Sequence, residues 1–303
     1  MLRRLYENLS AWAVHNLSAD HFNTLRRRDR AFRKWLRPYK TLAFGTFGAA
    51  ELSAHLEEVV GKDFRVLMVH SSIDGMTPMY TDGPLSLLRM LIDFCGPDRT
   101  LVMPAFFFGD PRYRGALDTF THKPIFDVQR TPSQMGLLTE LFRRTPGIRV
   151  SRHPVYRVSA LGPLAGEITG GHELATTPTG RGTPFDAMAR YDAKIVGIGK
   201  TYEVLTQVHH AEDVMGDAFP VPRGPGHYVP MTLVDGDWRG GFTFGQPGLK
   251  WRRRMHKLER IMSQQELRSW RYHGVPMFAT SAGAVSEALL KAAANGLSIY
   301  DQQ

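Results

Sequence analysis

The stretch TQVHHAEDVMG, Thr206 to Gly216, sets two adjacent histidines three residues after a threonine and just ahead of an acidic pair. If TYEVLTQVHHAEDVMG is helical, Thr206, His209 and Glu212 fall at successive i, i+3 steps, and Asp213 lies at i+4 from His209. One face then carries a hydroxyl, an imidazole and a carboxylate in a row. His210 points about 100° away around a helix of ~3.6 residues per turn, so the two imidazoles do not converge on one point. A carboxylate one turn from an imidazole holds one ring nitrogen and raises the basicity of the other, as a general base requires. Two other readings stand beside this one. The first is a helix histidine with a merely local partner. The second is a metal-dependent hydrolase drawing on His209 or His210 with Glu212, plus His70, His122 or His153.

Two further stretches carry suitable groups. VHSSIDGM directly follows a buried-strand pattern, so His70, Ser71 and Ser72 lie in the loop at a strand's C-terminal end, where open α/β sheets gather ligands. Small residues there allow close backbone approach, and hydroxyls with free N–H groups suit phosphate or amide oxygens. RVSRHPVYRVSALG (149–162) offers Ser151, Arg152 and His153 ahead of Pro154, then Arg157. Taken alone, each stretch reads equally as a plain turn or loop.

These groups need a scaffold, and from Ala43 onward strand-like and helix-like runs alternate. FRVLMVH (64–70), RTLVMPAFFF (99–108) and AKIVGIG (193–199) read as buried strands, and SLLRMLIDF (86–94) as a helix. TPSQMGLLTELFRRTPG (131–147) reads as the clearest helix: Thr131 caps it, Pro132 opens the first turn, and Gln134 completes a capping box. Met135, Leu138 and Phe142 form its apolar stripe. YVPMTLVD and WRGGFTF predict a hairpin around Asp235-Gly236-Asp237. VPMFATSAGAVSEALLKAAANG adds a strand, a cap near Ser281, a helix and an Asn295-Gly296 stop. The alternation predicts an α/β fold: a mixed, largely parallel central sheet flanked by helices, with a small antiparallel hairpin region near 228–244.

Length and composition narrow the function class. At 303 residues, 43% hydrophobic and 22% charged, the chain buries a substantial core, which excludes a disordered binding segment. The single cysteine, Cys95, excludes an internal disulfide, fits a reducing cytoplasm, and reads as a buried thiol within LIDFCG. No transmembrane run of about 18 apolar residues is present in the sequence. The net charge of +9 is uneven: residues 1–40 hold ten Lys/Arg against three Asp/Glu, or +7, which leaves +2 for the rest. Leu2, Leu5, Leu9 and Trp12 recur at helical spacing in that segment. The expected organisation is a basic N-terminal helical extension over 1–40 and a single α/β domain over 41–303. The basic helix either meets an anionic membrane at its inner face or lies solvated on the domain or on the second subunit of a homodimer. No nucleic-acid partner is expected.

Together the motifs resemble the aminoglycoside 3-N-acetyltransferase family. VHSSIDGM, DRTLVMPAF, TPSQMGLLTELFR, SRHP, GRGTPF and TQVHHAE stand in that family's order, from about Val69 to Met215. Asp98-Arg99 replaces the usual Gly pair, Thr183 stands where Ser is usual, and Val150 separates Arg149 from Ser151. The resemblance implies direct transfer of an acetyl group from acetyl-CoA to an amine of an amino sugar, with no metal. It implies His209 as general base, Glu212 as its orienting partner, and Thr206 as a donor to the oxyanion. It implies contacts to CoA from His70, Ser71, Ser72 and Ile73 and from Ser151, His153 and Pro154. Asp74, Asp110, Asp127 and Asp213 are the candidate ligands for an acceptor ammonium. The basic block LKWRRRMHKLER (249–260) is either a solvated helix face or an anion site. An anion site would suit the diphosphate of a nucleotide- or lipid-linked amino sugar from polysaccharide or cell-envelope synthesis, as against an antibiotic. A non-catalytic CoA- or membrane-binding protein is the remaining alternative.

Overall fold

The structure is a computed structural model that describes residue 31, residues 35–248 and residues 251–302. The expected basic helix over 1–40 therefore falls, apart from residues 31 and 35–40, outside the described residues. The chain begins with helices α1 (Arg37–Phe44) and α2 (Ala49–Val60) and then enters strand β1 (Val66–Ser71). A four-residue helix α3 (Ile73–Met76) and helix α4 (Gly83–Cys95) lead to β2 (Thr100–Pro104). Pro84 in the first turn and Gly96 at φ +64° bound α4, as residue chemistry predicts for a start and a stop. Next come α5 (Ala116–His122), β3 (Ile125–Asp127), α6 (Leu137–Arg143), β4 (Arg149–Val150), β5 (Val158–Leu161) and α7 (Ala165–Thr169). Helix α8 (Pro184–Arg190) is capped by the Thr183 hydroxyl and precedes β6 (Lys194–Ile198) and α9 (Val208–Met215).

The C-terminal third forms the long hairpin β7 (Gly224–Asp235) and β8 (Trp238–Gly248), then β9 (Trp251–Arg253) and α10 (Leu258–Ile261). Strands β10 (Arg268–Tyr272) and β11 (Val275–Ser281) feed α11 (Ala282–Ala294), whose first turn is capped by Ser281, and β12 (Tyr300–Gln302) follows. No described helix is long and apolar enough to cross a membrane.

Seven strands make one mixed sheet in the order β10-β11-β6-β1-β2-β5-β4. The three central strands β6, β1 and β2 are mutually parallel; β11 and β5 run opposite to their neighbours, so β10 and β4 return to the central direction. Alternation along β1 divides the core. Leu67 and Val69 face the side covered by α2, α4 and α6, while Val66 and Met68 face α7, α8, α9 and α11. A smaller sheet, β3-β7-β8, rests on a third cluster around Phe120, Phe126, Leu233 and Phe244. Its hairpin runs from 224 to 248, longer than the span read from sequence, and turns at Gly236 with φ +62°.

Several expectations need correction. The helix read over 131–147 begins only at Leu137, after Gly136 at φ +109°. Residues 131–135 are a loop whose polar groups bind elsewhere: Gln134 Oε1 accepts from Phe108 N–H and its amide donates to Gly109 O, both at 2.7 Å. The Thr131 carbonyl accepts from the buried Arg157 guanidinium. These long-range bonds outcompete the local capping box. The strand read over 99–108 ends at Pro104, and Met135 packs on a different cluster from Leu138 and Phe142. The block 249–260 is not one helix face: among its described residues it passes from β9 through a 3₁₀ turn at Met255–Lys257 into α10.

Candidate active site

A cleft of about 780 Å³ opens beyond the C-terminal ends of β2 and β6. The loop after β2 contributes Phe106 and Phe108, the segment after β6 contributes Glu203 to Thr206, Val208 and His209, and the end of β8 closes it with Phe244 to Pro247. This is the edge where parallel strands present their following loops.

The helix carrying the two histidines starts later than expected. A 3₁₀ turn at Tyr202–Val204 ends in extended backbone at Leu205, so Thr206 precedes α9 and its carbonyl accepts from His209 N–H at 3.1 Å. Gln207 anchors the start of the helix: its buried amide donates to Phe185 O at 3.0 Å and Ser286 Oγ at 3.1 Å. Thr179 pins the outer side. Its hydroxyl lies 2.6 Å from Asp213 Oδ2, and its carbonyl accepts from His210 Nδ1 at 2.8 Å. His210 is thereby committed to a bond with the backbone, away from His209. Among the described residues no three metal-capable side chains converge.

His209 lines the cleft with its side chain 19% exposed. Its Nδ1 lies 3.2 Å from Glu212 Oε2, and Nε2 has no hydrogen-bond partner among the described residues. Tyr156 meets the imidazole edge-on, ring centroids 5.7 Å apart. The Thr206 hydroxyl also lines the cleft and is buried without a partner among the described residues. Burial would raise the Glu212 carboxyl, but the hydrogen bond to His209, the charges of His209 and Arg253 and the Tyr300 hydroxyl outweigh it and hold it below the usual range.

Sequence reasoning missed two members of this cluster. Arg253 Nη2 sits 3.0 Å from His209 Nδ1 and 3.3 Å from Glu212 Oε1. Tyr300 donates its hydroxyl to Glu212 Oε1 at 2.6 Å and accepts from Arg253 Nε at 3.0 Å. They lie 41 and 88 residues from Glu212 in sequence and arrive on paired strands β9 and β12, so no local spacing could announce them. The basic block itself was the only signal, and its arginines divide: Arg253 enters the site, while Arg254 pairs with Asp301 at 2.9 Å.

The other expected residues fall in two groups. His153 lines the cleft; its Nδ1 accepts from Val155 N–H and Tyr156 N–H at 3.0 and 2.9 Å, which leaves the ring proton on Nε2. Burial, with His172 stacked against it, holds its pKa well below the ordinary value, so it is neutral. Ser151 is fully buried behind it, accepting from Val158 N–H at 2.9 Å, and Pro154 is buried. Asp213 lines the cleft but is paired with Arg223 at 2.8 Å.

The rest do not reach the cleft. His70 is buried against Phe278, whose ring fills the space left open by Gly197. Ser71 ends β1, Ser72 caps α3 by accepting from Gly75 N–H at 3.1 Å, and Ile73 packs on the opposite core. This loop is pressed onto the end of β6: a Cβ on Gly75 would lie 2.1 Å from Gly199 O. Asp74 is exposed on α3, Asp110 is paired with Arg112 and Lys123, and Asp127 accepts from Gln129 and Arg130 amides as a turn residue.

Known proteins share both the sequence pattern and the fold. A family model described as aminoglycoside 3-N-acetyltransferase matches residues 68–292. Aminoglycoside N(3)-acetyltransferase IV of Salmonella sp is 31% identical over 160 residues, 52% of this chain and 56% of that protein. Aminoglycoside N(3)-acetyltransferase III of Acinetobacter baumannii is 29% identical over 194 residues, 61% of this chain and 66% of that protein. The chain thus spans between just over half and about two-thirds of the length of these relatives. Among solved structures, AAC-IIIb in binary complex with CoASH superposes with TM-score 0.65 at 21% identity, covering 81% of this chain and 96% of that one. Aminoglycoside acetyltransferase AAC(3)-Xa does so with TM-score 0.70 at 19% identity, covering 85% and 96%.

Proposed function

This chain belongs to the aminoglycoside 3-N-acetyltransferase family, and on that basis we propose that it transfers an acetyl group from acetyl-CoA to an amine of an amino sugar. The observation that carries the reading is the His209–Glu212 pair, with Nε2 facing a cleft beside an unpartnered Thr206 hydroxyl.

The residues present fit the co-substrate. A cleft of about 780 Å³ is in the size class of sites for extended small molecules. His153 offers a neutral Nε2–H, and the Phe106 and Met135 side chains line a wall for an apolar chain. Ser151 and Pro154 support the His153 loop from behind. When bound, acetyl-CoA supplies an activated acetyl thioester. His209 Nε2 would take the proton that the acceptor nitrogen gives up as the C–N bond forms, a contribution of typically ~10²–10⁴-fold. The C–S bond breaks, and the CoA sulfur leaves as a thiolate that the same imidazolium can protonate. Glu212 holds Nδ1 and stabilises the charged ring. Thr206 Oγ1 donates to a carbonyl oxygen placed beside it. No role in the cleft is proposed for His70, Ser71, Ser72, Ile73, Asp74, Asp110 or Asp127.

A second acceptor class is favoured by one observation. Arg114, Arg223 and Arg253 line the cleft together with Glu203, Glu212 and Asp213, and Asp213 and Glu212 are paired to Arg223 and Arg253. A polycation finds no surplus of negative charge there, and Arg114, which lies outside these two ion pairs, is the guanidinium left to meet a phosphate on an amino sugar. The deciding assay measures thiol release from acetyl-CoA with aminoglycosides and nucleotide-linked amino sugars side by side. Release with either class, undiminished by a chelator, is the expected result. Silence across both panels with folded protein would sink the transferase reading.

A further inference from the structure

A carboxylate can steady an imidazole only if its own rotation is restrained. Glu212 has two oxygens and three neighbours. Oε2 faces His209 Nδ1 at 3.2 Å, Oε1 accepts the Tyr300 hydroxyl at 2.6 Å, and Arg253 Nη2 stands 3.3 and 3.4 Å from the two. The same guanidinium nitrogen is 3.0 Å from His209 Nδ1. These contacts compete. A guanidinium only donates, so a bond from Arg253 to Nδ1 needs a lone pair there and places the ring proton on Nε2. A bond from Nδ1–H to Glu212 leaves the lone pair on Nε2, toward the cleft, where a base must have it. A neutral ring satisfies one or the other, and the outcome turns on how firmly Oε2 is kept at Nδ1.

We propose that Tyr300, seated by Arg253, is a positioning residue: its hydroxyl anchors Glu212 Oε1 so that Oε2 holds the proton of His209 on Nδ1 and leaves Nε2 as the base. The proposal rests on the transferase reading of the site. Tyr300 is built for the task. It is 5% exposed, it lies opposite Arg253 in the β9–β12 register, and Phe219 meets its ring edge-on with centroids 6.2 Å apart. Burial and the neighbouring carboxylate push its phenol upward, so it remains a donor. Its strand is docked independently of the hydroxyl: Asp301 pairs with Arg254 and Lys257, and Lys257 Nζ donates to Tyr300 O at 2.7 Å. Tyr300 lies beyond the 68–292 stretch that the family model matches.

Two variants separate chemistry from docking. Tyr300→Phe keeps the ring and removes the bond to the carboxylate; kcat is expected to fall about tenfold or more, with both KM values within about twofold of wild type. The acid limb of the kcat profile should move to higher pH, because the charged carboxylate loses a donor while His209, Asp213, Arg253 and Tyr156 around it are unchanged. Asp301→Asn weakens the strand's ion pairs and should lower Tm without moving kcat or the acid limb. Wild-type kcat and pH profile in Tyr300→Phe would overturn the proposal, as would an Asp301→Asn variant that reproduces the Tyr300→Phe profile. Failure of the underlying reading looks different: His209→Ala would then turn over at the wild-type rate.

Discussion

His70 lies near the end of strand β1 and His209 sits in the first turn of α9, and residue spacing together with motif order pointed to both as site residues. Their surroundings have little in common. His209 has a carboxylate, a guanidinium and a tyrosine ring within reach and one nitrogen open to the cleft. His70 is 2% exposed, and neither ring nitrogen has a partner among the described residues. Burial, with Lys200 nearby, lowers its pKa to about 4. One imidazole lines the cleft; the other is buried and neutral against Phe278. An ionisable group becomes useful when its neighbours stabilise both protonation states and leave a path to the reactant.

The contrast can be broken most directly at its catalytic end. His209→Ala should lower kcat by ~10²–10⁴-fold with acetyl-CoA binding intact by calorimetry, whereas His70→Leu should stay within about twofold of wild type. Equal losses in the two variants would erase the distinction. Thr206→Val should cost about 10²-fold in kcat if its unpartnered hydroxyl serves an oxyanion. An unchanged kcat would place the donor elsewhere.

The smallest effect tests the buried end. A His whose folded pKa lies near 4 against 6.5 unfolded leaves the native state short of a proton between those values, so stability is full above pH 6.5 and drains away as pH falls toward 4. Removing that titration in His70→Leu should make the variant more stable than wild type by about 2 kcal/mol at pH 5, relative to their difference at pH 7.5. His172, also lowered to about 4, contributes equally to both proteins and cancels. Parallel denaturation curves at the two pH values would show that His70 is solvated in the folded state.

Much of the scaffold was legible in the sequence because its determinants are local. The apolar run of β1, the Pro84 and Gly96 bounds of α4, the Ser281 cap and the Gly236 turn need only near neighbours to act. The relation of His209 to Glu212 was legible for the same reason: they share a helix turn. The failures were non-local. Gln134 looked like a capping-box residue but spends its amide on the 108–109 backbone, and Thr206 fell outside the helix because Leu205 is extended. Arg253 and Tyr300 reach Glu212 through strand pairing, which a one-dimensional pattern does not encode. His70 misled in the opposite sense, since its motif position was right for a ligand loop and its burial was decided by the phenylalanine of β11.

The hairpin β7–β8 reaches the cleft from a sheet with its own apolar cluster, while His209 and Glu212 stand on α9, which packs against the main sheet. Tyr156 packs on both clusters and meets His209 edge-on, so the two sides of the cleft share one contact. On the proposed transferase reading, Gly245, Gln246 and Pro247 line the cleft from a strand end that carries none of the proposed proton-transfer residues. On that reading, acceptor shape and proton transfer are assigned to different secondary-structure elements.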